Sequence, residues 1–559
     1  MATTDSGKKR RGAGKHRKVV ESGRKQTENS TGADTSASRL GQNILWNYLS
    51  GFTSIFGLLL LYPLAVSIVG ASSYGLWVLA IGAIQMLTMT DFGLGAGIVR
   101  TLTGIPDNVD YQRDRRMFVT AALLVFLILA TVLTAVYTLI FPLYLQAVTI
   151  PEQDQAILWP MTILAGLTLF ISLVGRGMNS VLWGLNRPDI ERKAAVIAIL
   201  GRAAGYAVVV VTDTGLLGIV VVECLSLMLP PLVCMVAVAR RFSSPVFGPG
   251  LWRDHGKPLI KISSVMSIGA LSQLGIYQLP LFLVGPTLGL HATTAFGALM
   301  RVYQSCRLVV SWIALPYGYP LRIATPDKAA QILKNCLTLT VGIGLLMGVA
   351  LATIPTELMT AWMGDDFASA ALGLSMLALG IMAEAITQPA NLVMNLRGSA
   401  VRASILSLTT LVLTLPAVWL ATFTDSITVV ALATVLPSFL MSGVQMYLAN
   451  KDVSYGLQRS DLTRWGGMAG GALLYAGFAL LVAYFLPTWP TILVVGAGLA
   501  VMALRMLKLV RADGAVVAEM SEENSEALVA QRQAQNATED NARSTTDQEA
   551  RDAEEPGRA

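Results

Sequence analysis

Charge is scarce in this sequence. Asp, Glu, Lys and Arg make up only 14% of its 559 residues while 54% are hydrophobic, against about 25% charged in a soluble domain. A chain so poor in charge cannot cover its own surface in water, which argues against a soluble globular protein and makes the bilayer the expected solvent. Cysteine and histidine are rarer still. Cys224, Cys234, Cys306 and Cys336 form no CxxC and fall in or beside apolar segments, so they read as small core residues that say nothing of redox compartment. His16, His255 and His291 are far apart in sequence, which argues against a His-based metal or catalytic site. No GxxxxGK[ST] loop occurs, so an intrinsic P-loop ATPase is not expected. No secretory cleavage pattern follows the basic start, and the first apolar span is read as a retained anchor.

What is present in abundance is apolar length. Fourteen windows are each long enough to cross a hydrocarbon core about 30 Å thick. They lie near 44–69, 75–97, 117–141, 157–182, 194–212, 216–239, 259–285, 293–321, 334–355, 371–395, 403–421, 428–449, 465–486 and 490–510. The connections between them alternate in charge. One set carries Arg113, Arg115, Arg116, Arg187, Lys193, Arg240, Arg241, Lys328, Arg397 and Lys451, among others. The other set, around 70–74, 142–156, 213–215, 286–292, 356–370, 422–427 and 487–489, has no Lys or Arg and carries Glu152, Asp154, Asp213, Glu357, Asp365, Asp366 and Asp425. Under the positive-inside rule this pattern predicts an all-α, multi-pass protein of about fourteen helices in the cytoplasmic membrane, with both termini cytoplasmic.

The two ends are polar. Residues 1–39 hold ten Lys or Arg against four acids and are expected to be a disordered cytoplasmic tail. The tail serves either as a topology signal or as a contact for anionic inner-leaflet lipid, and nucleic acid is not an expected partner. Residues 512–559 are expected to be a disordered acidic tail. Between them, the first half of the chain echoes the second. YPLAVSIVG answers LPLFLVG, SYGLWVL answers AFGALMR, and MNSVLWGLNRPDIERK answers ANLVMNLRGSAVR, in the same order. A six-helix duplication follows, with lobes at 40–241 and 242–450 and two appended helices over 451–511. Because six is even, the lobes share one orientation in the membrane and enclose a cavity between them.

Seven ionisable residues fall inside the apolar spans: Asp91, Arg176, Arg202, Glu223, Arg301, Arg307 and Glu384. A charge at the centre of a lipid-facing helix costs roughly 2.5–3.5 kcal/mol, so each is expected to face protein or a wet cavity. Arg202 and Glu223 sit at ~15 and ~10 Å from the tip of one tight hairpin; a structural ion pair and separate roles are equally open. Glu384, Gln388, Asn391 and Asn395 form one polar stripe on the tenth span, and Ser172, Arg176, Asn179 and Trp183 repeat its spacing on the fourth. Matching stripes on corresponding helices favour cavity lining over interhelical hydrogen bonding. Arg301 and Arg307 lie ~12 and ~21 Å along the eighth span, and a planar guanidinium suits bidentate capture of phosphate oxygens. Asp91, near the basic end of the second span, precedes Gly93, Gly95 and Gly97. It reads as part of a gate or as one half of a permanent pair, with glycines that allow close approach and bending.

These residues carry a family resemblance. NILWNYLSGFTSIFGLLLLYPLAVSIVGASSYGLWVL, TDFGLGAGIVR, LNRPDIERK and NLRGSAVR resemble the corresponding segments of Wzx-type polysaccharide flippases. Those belong to the multidrug/oligosaccharidyl-lipid/polysaccharide (MOP) exporter superfamily, and the resemblance covers residues 40–450. It implies two six-helix lobes and alternating-access export of a polyprenyl-pyrophosphate-linked oligosaccharide, as in O-antigen or lipopolysaccharide assembly, through a cation-rich cavity. Arg176, Arg202, Arg301 and Arg307 are the cationic candidates by residue type and depth. The chain has no Lys or Arg between Arg39 and Arg100, unlike the lipid II flippases of the superfamily. It also lacks the first-helix acid of the drug exporters.

A flippase of this kind is expected to be a monomer, not an enzyme, with no bound cofactor or metal. Its partners would be the lipid-linked glycan, membrane lipid and other polysaccharide-assembly proteins, and a proton gradient, a sodium gradient or the membrane potential could drive it. The competing reading is an ion-coupled exporter of small cationic compounds with Asp91, Glu223 or Glu384 titrating. A membrane glycosyltransferase or polymerase is the third, and the sequence lacks the acidic metal site or large loop domain that such an enzyme needs.

Overall fold

The computed structural model describes residues 46, 49–57, 59–89, 93–105, 112–242, 245–249, 251–398, 400–453, 459–498 and 500–501. Asp91, both tails and the end of the fourteenth apolar window lie outside the described residues. Among the described residues the regular structure is helical throughout: α1 (Leu49–Val69), α2 (Ala71–Thr88), α3 (Leu94–Gly104), α4 (Gln112–Leu145), α5 (Leu158–Gly184), α6 (Asp189–Thr212), α7 (Gly215–Phe242), α8 (Lys257–Ala314), α9 (Gly318–Ile323), α10 (Pro326–Thr353), α11 (Pro355–Met363), α12 (Leu372–Leu396), α13 (Ala400–Thr422), α14 (Ile427–Val453), α15 (Arg459–Phe485) and α16 (Thr488–Gly498). In lipid a helix satisfies every backbone group within its own segment, and these apolar runs have no other stable way to span. The chain is a multi-pass α-helical membrane protein.

Two elements depart from the windows read off hydropathy. The second window is two helices, because α2 ends at Thr88 and α3 begins at Leu94 behind Gly93 at φ 68°. The seventh and eighth windows form one helical run broken at Gly289, whose φ 85° and ψ 176° glycine reaches without strain and other residues only at a cost. The apolar stretch Gly269–Tyr317 has 49 residues; straight, it would be about 74 Å long, far more than a bilayer core. The Gly289 break lets it cross, turn and cross back. Twelve helices among the described residues are long and apolar enough to span, this stretch counted once, and α16 is shorter. The expected fourteen differs from that number at those two places.

The chain forms two compact units, residues 1–301 and 302–559. The division falls within α8, whereas the repeat expected from sequence placed a lobe boundary at 241/242; sequence similarity and packing are different criteria. In the first unit α5 is central, flanked by α2, α3, α4 and α7, with α6 on α7. Ile98 of α3 is fully buried in that core, in one apolar cluster with Phe118, Phe126, Met178 and Val238. In the second unit α12 lies between α10 and α14, with α13 on α14 and α15 on α10. The Thr340 hydroxyl donates to the Ala385 carbonyl at 2.7 Å, tying α10 to α12. Leu139, Val211 and Leu474 are largely exposed, as lipid-facing side chains are. Below, the helix ends joined by the Lys- and Arg-bearing connections are the basic end, and the opposite ends the acidic end.

Candidate functional site

At the acidic end of the first unit, the α8 hairpin is wedged against α1, α2 and α4. The Tyr62 hydroxyl donates to the Thr294 carbonyl at 2.8 Å, and the Thr294 hydroxyl donates to the Ala71 carbonyl at 2.6 Å. Tyr144 donates to the Phe282 carbonyl at 3.0 Å. A Cβ on Gly75 would stand 2.2 Å from the Leu290 carbonyl oxygen, so only glycine permits this approach of α2 to the hairpin tip. Nearby, Asp154 is buried and accepts from the Ser73 hydroxyl at 2.7 Å. The connection around 142–156, read from sequence as loop charge, therefore contributes a buried carboxylate to this closed end.

Toward the basic end the same unit opens into a cavity of about 490 Å³, lined by Arg176 and Asn179 of α5, Arg202 and Glu191 of α6, and Arg301 of α8. That volume lies within the roughly 300–1,000 Å³ usual for small-ligand pockets. Its polar lining is completed by Ser54, Gln85, Thr88, Ser172 and Ser226. The cavity is one-sided. Its lining on α2 begins at Ile81, on α5 at Ser172 and on α7 at Ser226, and on α6 it stops at Arg202, so on these four helices the wall runs from about mid-depth toward the basic end.

Each arginine is held differently. Arg202 Nη1 lies 3.0 Å from Glu223 Oε2, and the Tyr206 hydroxyl donates to the other oxygen of the same buried carboxylate. Of the two readings open from sequence, the pair is what forms. Arg301 stands over the ring of Tyr62, its guanidinium carbon 4.6 Å from the centroid, a cation–π contact that supports the charge without neutralising it. Arg176 shares the cavity with Glu191, and Glu191 Oε2 lies 3.3 Å from Arg192 Nε. Lining charges are thus three guanidiniums against one carboxylate, and four against two when Glu223 and Arg192 are added.

Acceptors are present as well. Asn179 Oδ1 is buried and takes no hydrogen bond from a described residue. Pro230 and Pro231 interrupt α7 on the cavity wall. A proline lacks the N–H that would bond the carbonyl four residues earlier, which leaves the carbonyls of Ser226 and Leu227, both lining residues, without their intrahelical partners. A Cβ on Gly175 would meet Pro231 at 2.0 Å, so α5 packs directly on this kink.

The remaining sequence candidates fall elsewhere. Arg307 and the stripe Glu384, Gln388, Asn391 and Asn395 belong to the second unit. Glu384 is buried and accepts from Gln388 Nε2 at 2.8 Å and from Tyr303 at 3.4 Å. Exposure then rises along the stripe to Asn395 at the basic end. Asn391 Oδ1 is buried without a hydrogen bond from a described residue, as in its counterpart Asn179. Trp183 does not line the cavity; Arg192 lies 6.0 Å from its ring. Gly93 caps α3, and Gly95 and Gly97 sit buried in its first turn. Sequence reasoning missed Glu191, Gln85 and the proline pair. Hydropathy began the fifth window at 194, but α6 starts at Asp189, five residues earlier; the signal was Pro188 followed by Asp189 and Glu191, a helix start rather than a loop.

No protein-family model matches the chain, and no curated protein sequence does. Among solved structures, the lipid II flippase MurJ in an inward closed conformation aligns with TM-score 0.62 and 11% identity, over 84% of this chain and 99% of that one. A multidrug resistance MATE family transporter of the MOP superfamily, in an inward-facing conformation, aligns with TM-score 0.58 and 13% identity, over 74% of this chain and 94% of that one. At such identities the likeness shows the fold, which is the one these two transporters share.

Proposed function

We propose that this protein is a flippase that carries a polyprenyl-pyrophosphate-linked oligosaccharide across the cytoplasmic membrane by alternating access, for assembly of a cell-surface polysaccharide. The observation that carries this reading is the convergence of Arg176, Arg202 and Arg301 on one cavity that runs from mid-depth toward the basic end of the first unit. A pyrophosphate needs several charge-assisted hydrogen bonds. Arg176, Arg202 and Arg301 supply them, Arg202 by exchanging its Glu223 contact for a phosphate oxygen. Sugar hydroxyls are donors, and Asn179 Oδ1 and the carbonyls released by Pro230 and Pro231 are acceptors for them. With both termini cytoplasmic under the positive-inside rule, the cavity faces the side where such lipid-linked glycans carry their phosphates before export. A proton gradient, a sodium gradient or the membrane potential drives the cycle.

The competing reading, an ion-coupled exporter of small cations, draws on the two buried carboxylates Glu223 and Glu384. It is the weaker one, because Glu223 is already matched by Arg202 and the lining charge is mainly guanidinium. The double variant Arg176→Gln/Arg301→Gln tests the proposal. Each lost charge-assisted hydrogen bond is worth about 1.5–3 kcal/mol, so surface glycan should fall at least about tenfold while the protein still inserts. Normal glycan in cells carrying only that variant would sink the reading.

A further inference from the structure

A second cavity in the first unit shares no lining residue with the arginine site. It has a volume of about 370 Å³, opens between α4 and α7, and is walled by Leu123, Met178, Leu232, Met235 and Phe242. Leu232 and Val236 on its rim are partly exposed, on a surface that faces lipid. From Leu232 to Phe242 the cavity runs along α7 for about 15 Å, the depth of one leaflet of hydrocarbon. Its polar wall is limited to the basic end. There Arg116 lines it, with Nε buried and accepted by no described residue. Thr120 beside it is already engaged, accepting from the Val246 N–H at 3.0 Å and donating to the Arg116 carbonyl at 2.8 Å. Arg113 and Arg240 are exposed at the same end of the same two helices.

We propose that this cavity is a binding site for one anionic diacyl phospholipid of the cytoplasmic leaflet, with an acyl chain between α4 and α7 and the headgroup phosphate on Arg116. The apolar depth matches a chain from one leaflet, the guanidinium of Arg116 sits where a headgroup lies, and Arg113 and Arg240 outnumber Asp114 among the exposed charges beside it. A phosphodiester needs one such partner, whereas the pyrophosphate of a glycan carrier needs several, and those are in the other cavity. Methionine walls suit the occupant, since flexible thioethers adapt to a mobile chain. The site stands independently of the transported substrate.

Native mass spectrometry of the full chain in mild detergent tests it, with phosphatidylglycerol and phosphatidylcholine offered at equal concentration. The wild type should retain phosphatidylglycerol about fivefold over phosphatidylcholine, the ratio corresponding to about 1 kcal/mol for one interfacial arginine. Arg116→Gln should abolish the preference, and Val236→Trp, at the lipid-facing rim, should reduce retention of both lipids. No preference in the wild type, or a preference that survives Arg116→Gln, would overturn the proposal. Displacement of phosphatidylglycerol by equimolar polyprenyl phosphate would also overturn it, assigning the cavity to the carrier's tail.

Discussion

At the scale of the residue, the Glu223 carboxylate is held from both oxygens, by Arg202 and by Tyr206. Removing one member of a buried ion pair leaves an uncompensated charge and costs about 3–5 kcal/mol, while removing both is often nearly neutral. Arg202→Gln alone should therefore lower the thermal stability of the purified protein sharply. Arg202→Gln/Glu223→Gln should recover most of it and still fail to export glycan. Full activity in the stable double variant would reduce the pair to a structural tie. The sequence disclosed that these two residues share a depth, since both sit at countable distances from one hairpin tip. It could not disclose Arg301 over Tyr62, because that contact joins α8 to α1 across more than two hundred residues and depends on how the hairpin is wedged.

At the scale of the element, breaks decide more than helices do. Spans were legible because a bilayer imposes length, and length survives in hydropathy without any knowledge of packing. The interruptions were not, since one glycine in an apolar run contributes almost nothing to such a window. Gly289 carries a φ and ψ that other residues reach only at about 1–3 kcal/mol. Gly289→Ala should lower the melting midpoint in detergent by a few degrees; an unchanged midpoint would mean that the turn tolerates a side chain. Glu191 escaped for a related reason: a charged first turn lowers the hydropathy average, so the start of α6 was trimmed away with its cavity-facing carboxylate.

For the whole molecule, what matters is the asymmetry of the first unit, sealed at the acidic end and hollow toward the basic end. A cysteine at position 179, in a chain whose own four cysteines are alanine, should react with a membrane-impermeant maleimide faster in inverted vesicles than in intact spheroplasts. Faster labelling from the outer face would reverse the orientation argued from the Lys- and Arg-bearing connections. The repeat expected from sequence pairs Asn179 with Asn391, and each has a buried side-chain oxygen that takes no hydrogen bond from a described residue. The compact units were not readable, because internal sequence similarity does not report packing, and the α8 hairpin packs with the helices it meets.

Tyr62 belongs to two arrangements at once. Its hydroxyl closes the acidic end on Thr294, and its ring carries Arg301 at the head of the cavity. When α8 leans away from α1, both contacts are lost through the same side chain. On the proposed reading, grip on an anion and closure of the far door are then one mechanical variable rather than two to be synchronised. A flippase of the kind proposed would then loosen its hold as the far side opens and release its cargo without any separate signal.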